Sequence, residues 1–432
     1  MDNSDYPSPT LTRSRNAVTG RGHCTNNRPA RTPPGGRLRL VGATDVTRGQ
    51  KRRSQLAALT LDLPPAPLDD APTGTRPRIV ALIPAHDEQR ALPEALASLR
   101  DQTTAPDRIV VVADNCTDDT VPVARRHGAE VLETVGNTDR KAGALGQALD
   151  ALLPALADDD LLLVADADSM LVTGFVETAL RTLRDDHTVG AVGGVFHGEA
   201  GSGLVGALQR NEYARYAREI ARRADRATVL TGTATLFRVG VLREVAAARG
   251  TRLPGPAGRV YDPAALTEDN EITLAVRTLG WRTVSPPGCG VLTEIMPTWA
   301  DLWRQRLRWQ RGALENLRGY GLNVVTAPYL ARQAGMYAGI VAVGLFLLAT
   351  ALFATAGLLG PPTGLWIAVT AVFVVERVWT VRARGWRGMA LALPMVVEFG
   401  YDLFQQAVFL RAAADALRGD RADWHHLAPS GA

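Results

Sequence analysis

Lysine is almost missing from this chain: of 48 basic residues only Lys51 and Lys141 are lysine, and the rest are arginine. Cysteine is nearly as scarce, with Cys24, Cys116 and Cys289 far apart and no CxxC or Cys/His cluster. That spacing excludes a disulfide framework and a structural zinc site, and a reducing compartment is the expectation. Ahead of Pro77 there is no apolar run able to span a bilayer, and none of the roughly 7 to 15 residues a secretory signal requires. A Ser/His or Cys/His pair placed as an activated nucleophile is also lacking.

What the first 58 residues have instead is charge of one sign. Eleven Lys/Arg stand against Asp2, Asp5 and Asp45, a surplus of eight, so with +4 overall the remainder carries about four negative charges. Residues 1–76 are rich in Pro, Gly, Ser, Thr and Asn without a sustained apolar period, and are expected to form a disordered basic tail ending in LDLPPAPLDDAPTGTRP. A basic arm could touch anionic surfaces, but a solvated tail with no nucleic acid partner is the expectation.

From Arg78 short apolar runs alternate with amphipathic segments. RIVALIPAHDE, DRIVVVADN, AEVLET and DLLLVADADS read as strands. The stretch with Leu92, Leu96 and Leu99, TDDTVPVARRHG closed by Gly128, and KAGALGQALDALLPAL read as helices. Strand, helix, strand, helix predicts an α/β domain with a mainly parallel sheet, whose ligands bind beyond the carboxyl ends of the strands. The polar clusters fall there: Asp87 and Glu88, Asp114 and Asn115, Asp166 and Asp168. The expected division is a catalytic domain at 77–297, amphipathic interface helices at 298–330, a membrane region at 331–410 and a tail at 411–432. MYAGIVAVGLFLLATALFATAGLL has 24 residues without a charge, enough to cross a core of roughly 30 Å. LWIAVTAVFVVERVWTV would return across it after a turn at Pro361 and Pro362, leaving Arg382, Arg384 and Arg387 cytoplasmic. The third stretch, MALALPMVVEFGYDLFQQAVFL, carries Glu398, Asp402, Gln405 and Gln406 and is expected to span, to re-enter or to lie on the surface.

Four clusters carry chemistry. Asp166 and Asp168 would share one face of a strand end, where their repulsion is relieved by a divalent cation held through oxygen; alone, such a pair equally suits a turn. Lys141 opens a predicted helix whose N-terminal N–H groups also attract anions, and a compact ammonium there suits a phosphate. Thr267, Glu268 and Asp269 open LTEDNEITLAVRTLGWR either as an N-cap with favourable dipole charges or as a general base for an acceptor hydroxyl. In WADLWRQRLRWQRG, Gln305, Arg308 and Trp309 fall on one helix face, offering a diphosphate grip and a flat apolar surface, or an interfacial helix beside a membrane.

Taken in order, IPAHDE, VVADNCTDDT, KAGALGQAL, VADADS, TGTATLFR, LTEDNEITLAVRTLGWR and QRLRW resemble the family 2 glycosyltransferases, in particular the membrane-bound branch with cellulose, hyaluronan and poly-N-acetylglucosamine synthases. The resemblance covers about residues 77 to 330. It implies a GT-A, Rossmann-like catalytic domain followed by C-terminal transmembrane helices, using a nucleotide sugar, expected to be UDP-linked, with Mg²⁺ or Mn²⁺. By the same resemblance Glu88 and Asp114 would hold the nucleoside, Lys141 the diphosphate, Asp166 the donor and Asp168 the metal. Asp269, beside Glu268, would be the general base; Gln305 and Arg308 would hold the diphosphate, Trp309 the acceptor sugar, and Thr231, Gly232 and Thr233 would line the acceptor site. The reaction would be inverting, onto a saccharide or lipid-linked acceptor, at the cell membrane with the catalytic domain in the cytoplasm.

Asp87 stands where many relatives carry Asn. Polymer-exporting relatives usually have spans on both sides of the catalytic domain, so export here would require a homo-oligomer or a partner. Processive synthesis, single-sugar addition and a non-catalytic nucleotide-sugar-binding scaffold all remain open at this level. A nucleotidyltransferase is disfavoured because IPAHDEQR has no glycine-rich phosphate loop.

Overall fold

The structure, a computed structural model, describes residues 42–62 and 76–418. Expectations for 1–41, 63–75 and 419–432 lie outside the described residues. The chain opens with α1 (Gly42–Asp62) and then alternates through β1 (Ile79–Ala85), α2 (Leu92–Arg100), β2 (Arg108–Ala113), α3 (Thr120–Arg126), β3 (Glu130–Glu133), α4 (Arg140–Leu152) and β4 (Leu161–Ala165). Next come β5 (Met170–Leu171), α5 (Phe175–Asp185), β6 (Val189–Gly193), β7 (Val195–Gly198), α6 (Gly203–Arg222), β8 (Ala234–Arg238) and α7 (Val239–Ala248). Then follow α8 (Glu268–Thr278), β9 (Arg282–Val284), β10 (Gly290–Thr293) and α9 (Trp299–Tyr320). The remainder is helical: α10 (Ala327–Thr355), α11 (Gly364–Thr380), α12 (Gly385–Ala392) and α13 (Val396–Arg418).

Seven strands form one sheet in the order β3-β2-β1-β4-β8-β6-β9, parallel except for β8, which runs against both β4 and β6. Both faces are covered, which is why the strands read as unbroken apolar runs. From β1, Ile79, Ala81 and Ile83 join α2 and α5 in one core, while Val80 and Leu82 join α4 and α7 in the other. A smaller sheet, β5-β10-β7, begins directly after the Asp166–Ser169 turn.

Three local readings are corrected. Residues 42–62, taken as tail, form α1, with Leu56 and Leu59 packed against the first core and Arg52 only 3% exposed. Asp166 and Asp168 do not share a strand face, because β4 ends at Ala165 and the pair lies in a turn closed by Ser169 N–H donating to the Asp166 carbonyl at 3.2 Å. The Thr267 hydroxyl makes no cap bond to α8 and instead accepts from Asn316 at 3.3 Å, tying α8 to α9.

Among the described residues α10 is long and apolar enough to cross a membrane, and Gly364–Thr380 with Arg382–Ala392, bent by 51°, gives a second such element if it is one broken span. The third apolar stretch is divided between α12 and α13. Glu398 of α13 is buried against Arg215 of α6 and Arg377 of α11, and Asp402 pairs with Arg377. Tyr401 and Phe404 pack on Trp299, and Phe404 on Trp303, which lays α13 along α9. Glu398 and Asp402 therefore face protein.

Candidate active site

The loops at the carboxyl ends of β1 and β2 are joined by Asp87, whose carboxylate accepts from Thr117 N–H at 2.6 Å, Asp118 N–H at 3.2 Å and the Thr117 hydroxyl at 3.0 Å. Asp87 itself has φ 56°, a left-handed conformation that Asp tolerates better than most residues. Asp114, at the end of β2, accepts from Thr134 at 2.6 Å, Asn137 at 2.9 Å and Asn115 at 3.2 Å, all on Oδ1. Glu88 takes a different place: burial, together with Asp168, Glu294 and Asp166, pushes its carboxyl up to about 8.

Lys141 sits in the first turn of α4 and reaches across the sheet end. Its Nζ lies 2.6 Å from Asp166 Oδ1 and 2.7 Å from Glu268 Oε1. Burial alone would lower the ammonium, but the two carboxylates outweigh it and hold it well above the ordinary lysine value. For Glu268 burial acts upward and Lys141 wins, leaving its carboxyl low. Glu268 is thus the counter-ion of the lysine. Asp269 has no such partner: burial and the neighbouring Glu268 push it up to about 6. Its Oδ2 accepts from Gly232 N–H at 3.1 Å, and its Oδ1 from Asn270 N–H at 2.7 Å. A side chain on Gly232 would meet Asp269 Oδ2 and Lys141 Nζ, each at 3.3 Å, a tight fit that either group would have to yield to by a few tenths of an ångström.

Asp168 is pushed up to about 7 by burial and by Asp166, and its Oδ1 accepts from Ser169 at 2.9 Å. On α9, Arg308 faces the same group closely enough to pull the carboxyls of Asp166, Glu268 and Asp269 downward. The structure therefore brings together Lys141, Asp166, Gly232, Glu268, Asp269 and Arg308, with Asp168 and Glu88 adjoining. Thr231 lines the same pocket, but its hydroxyl is turned to the carbonyls of Gly194 at 3.3 Å and Ala234 at 3.4 Å, and Thr233 bonds to Thr231 at 3.0 Å. Gln305 accepts from Arg306 at 2.7 Å, and the Arg306 guanidinium lies 4.3 Å from the Trp309 ring centroid.

Arg306, inside QRLRW, was not singled out from the sequence. It is 3% exposed, pairs with Glu212 at 2.9 Å, and shares that carboxylate with the Tyr401 hydroxyl at 2.5 Å. Arg249 was missed as well; fully buried, it grips both oxygens of Glu271 on α8 and donates to the carbonyls of Pro254 and Val260. No local periodicity marks either residue.

Two carboxylate groups could hold a cation. The Asp166/Asp168 turn offers oxygen donors alone, and the mutual repulsion of its acids fits a hard divalent ion. Asp87, Cys116 and Asp118 also converge. There, however, Asp87 is occupied as above, Asp118 accepts from Gln89 N–H at 3.1 Å and Thr120 N–H at 2.9 Å, and burial pushes the Cys116 thiol up. That group is a loop junction.

The family profile described as "Glycosyltransferase like family 2" matches residues 77–312, which is 236 of 432. The chain belongs to that family. It is similar to "Probable glycosyltransferase YdaM" of Bacillus subtilis, at 26% identity over 245 residues, and to poly-beta-1,6-N-acetyl-D-glucosamine synthase of Staphylococcus aureus, at 22% over 245 residues. Each alignment takes in 55% of this chain and 55% of the relative, so the chain spans about half the length of the curated relatives it matches. Among solved structures it resembles the mannosyltransferase PcManGT from Pyrobaculum calidifontis in complex with GDP-Man and Mn²⁺. The TM-score is 0.54 at 19% identity, over 88% of this chain and 97% of that one, and it shows a shared GT-A fold. The family 2 match ends within α9, so it includes Gln305, Arg308 and Trp309, whereas α1 and α10 to α13 lie outside it.

Proposed function

We propose that this family 2 chain is an inverting, metal-dependent membrane glycosyltransferase that moves a sugar from a nucleotide sugar to a saccharide or lipid-linked acceptor. The observation that carries the reading is the convergence on one pocket of Lys141, clasped by Asp166 and Glu268, with Asp269 and Gly232 beside it. Glu88 and Asp114 hold the nucleoside, Asp114 through the oxygen its three loop bonds leave over. Lys141 and Arg308 meet the diphosphate. Asp166 and Asp168 would hold Mg²⁺ or Mn²⁺, which supplies neutralisation of the leaving diphosphate. Asp269 accepts the proton of the acceptor hydroxyl as that oxygen bonds to the anomeric carbon; the bond to the diphosphate breaks on the opposite face, and its electron pair leaves with the phosphate. Trp309 and the backbone at Gly232 border the acceptor.

Membrane attachment is supported by α10, on which Leu345, Phe346, Leu348, Leu352 and Phe353 are all more than half exposed. The catalytic domain would then lie in the cytoplasm, next to Arg382 and Arg384. The test is UDP or GDP release by the full chain in detergent or lipid with Mn²⁺ and a donor panel. UDP-N-acetylglucosamine and GDP-mannose enter first, after the sugars named in the relatives above. No donor giving release above an inert control would sink the proposal. Product length on gels separates the two modes, a ladder meaning processive synthesis and one discrete product meaning single addition.

The acidic limb of the pH profile is a separate check. A protonated carboxyl cannot accept the hydroxyl proton, so turnover should rise as pH increases through about 6, the position to which Asp269 is pushed. Nucleotide release measured from about pH 4 upward tests this; a midpoint near the ordinary carboxylate value of about 4 would assign the base elsewhere.

A further inference from the structure

Helix α1 precedes the residues that the family profile matches, and its sequence suggested only a tail, yet it is docked by ions onto the edge of the site. Arg52 Nη2 donates to the backbone carbonyl of Asp168 at 2.5 Å. The same guanidinium lies 3.1 Å from Glu94 of α2 and 3.2 Å from Glu199, just past β7. One turn earlier Arg48 bridges Glu199 at 2.8 Å and Glu294 at 2.7 Å. One turn later Gln55 donates to the Gly198 carbonyl at 3.0 Å and accepts from Ala200 N–H at 2.7 Å.

We propose that Arg52 is a positioning residue for the cation-binding turn, so that α1 completes the donor site from outside the residues the family profile matches. The inference rests on the assignment of Asp166 and Asp168 made above. The turn Asp166–Ser169 is four residues long, and its Asp168 carbonyl is fixed by a planar cation that is itself held on two other sides by carboxylates. Arg52 Nη2 makes the directed bond to that carbonyl while Glu94 and Glu199 hold the rest of the guanidinium by charge, and an ammonium of similar reach offers no such planar fork. Loss of Arg52 frees the Asp168 backbone to rotate, which moves the carboxylate that must meet the ion. Outer partners of this kind typically tune metal affinity by about 10–100-fold.

The test uses the full chain and Mn²⁺ itself, titrated in the presence of UDP and followed by the electron paramagnetic resonance signal of the free aquo ion, so that turnover is not the readout. Arg52→Met is expected to bind Mn²⁺ about tenfold more weakly, and Arg52→Lys to fall between it and the native chain. Gln55→Ala, which loosens α1 without touching Asp168, is expected to lower the thermal midpoint and to keep native Mn²⁺ affinity. If Arg52→Met does not fold, Arg52→Lys carries the test. An affinity within about twofold of native in the Arg52 variant that folds overturns the inference, as does an equal loss in Gln55→Ala. A native chain that takes up no Mn²⁺ defeats the metal assignment and this inference together; native uptake with unchanged Arg52 variants defeats this inference alone.

Discussion

Asp269→Asn is expected to cut turnover about a thousandfold while leaving the fold and UDP binding in place. The amide oxygen can take the Oδ1 place that accepts from Asn270 N–H, while Gly232 N–H, held by Oδ2 in the native chain, loses its acceptor. What is lost is the basic oxygen next to Gly232, and no other group nearby replaces it. Glu268 is adjacent but committed to Lys141 at 2.7 Å and held below its ordinary value, so it is a poor proton acceptor. Nucleotide release under saturating donor gives the turnover ratio, and calorimetric titration with UDP checks that binding survives. Retention of more than about a tenth of native turnover would remove Asp269 from the role of base.

Arg249→Met should cost about 3–5 kcal/mol of stability, the largest structural effect expected from a single change outside the pocket. Its partner Glu271 is 2% exposed and would be left as a buried charge with only the Tyr320 hydroxyl, at 2.6 Å, as donor. The carbonyls of Pro254 and Val260 lose their donor as well, and the 250–260 loop leads directly to Tyr261 in the pocket wall. A denaturation midpoint in detergent measures the loss. Adding Glu271→Gln removes the stranded charge and should recover part of it, since neutralising both partners of a buried pair costs less than removing one. No recovery in the double variant would mean the loop contacts, rather than the ion pair, hold α8.

The parallel half of the sheet was legible because β1, β2 and β4 are buried on both faces and so carry their position in consecutive Val, Ile, Leu and Ala. Helix α1 was not. Apart from Leu56 and Leu59 on the core and the bonds of Gln55, it is held by ion pairs that reach Glu94, Glu199 and Glu294, residues far along the chain, so no local apolar period announces them. For the third apolar stretch, composition left spanning, re-entry and a surface position open. Glu398 there finds Arg215 across a separation of 183 residues, and only tertiary structure shows that pairing. At the site, motif order brought Lys141, Asp166, Asp269 and Arg308 to attention in advance. Spacing could not divide the Glu268/Asp269 pair between counter-ion and base; that distinction depends on which carboxylate Lys141 reaches.

The near-absence of lysine has a practical side. An amine reacts only when unprotonated, and Lys141 is clasped between two carboxylates that keep its proton on. Lys51, exposed on α1 next to Arg52, is the only other ε-amine in the chain. Acylating reagents such as a fluorescent succinimidyl ester should therefore modify Lys51 and the α-amine, whose pKa is ordinarily about 8, and spare Lys141. With the α-amine blocked first at lower pH, a dye on Lys51 would sit on the helix that abuts the site, and its polarisation would report whether that helix stays seated as donor arrives and product leaves.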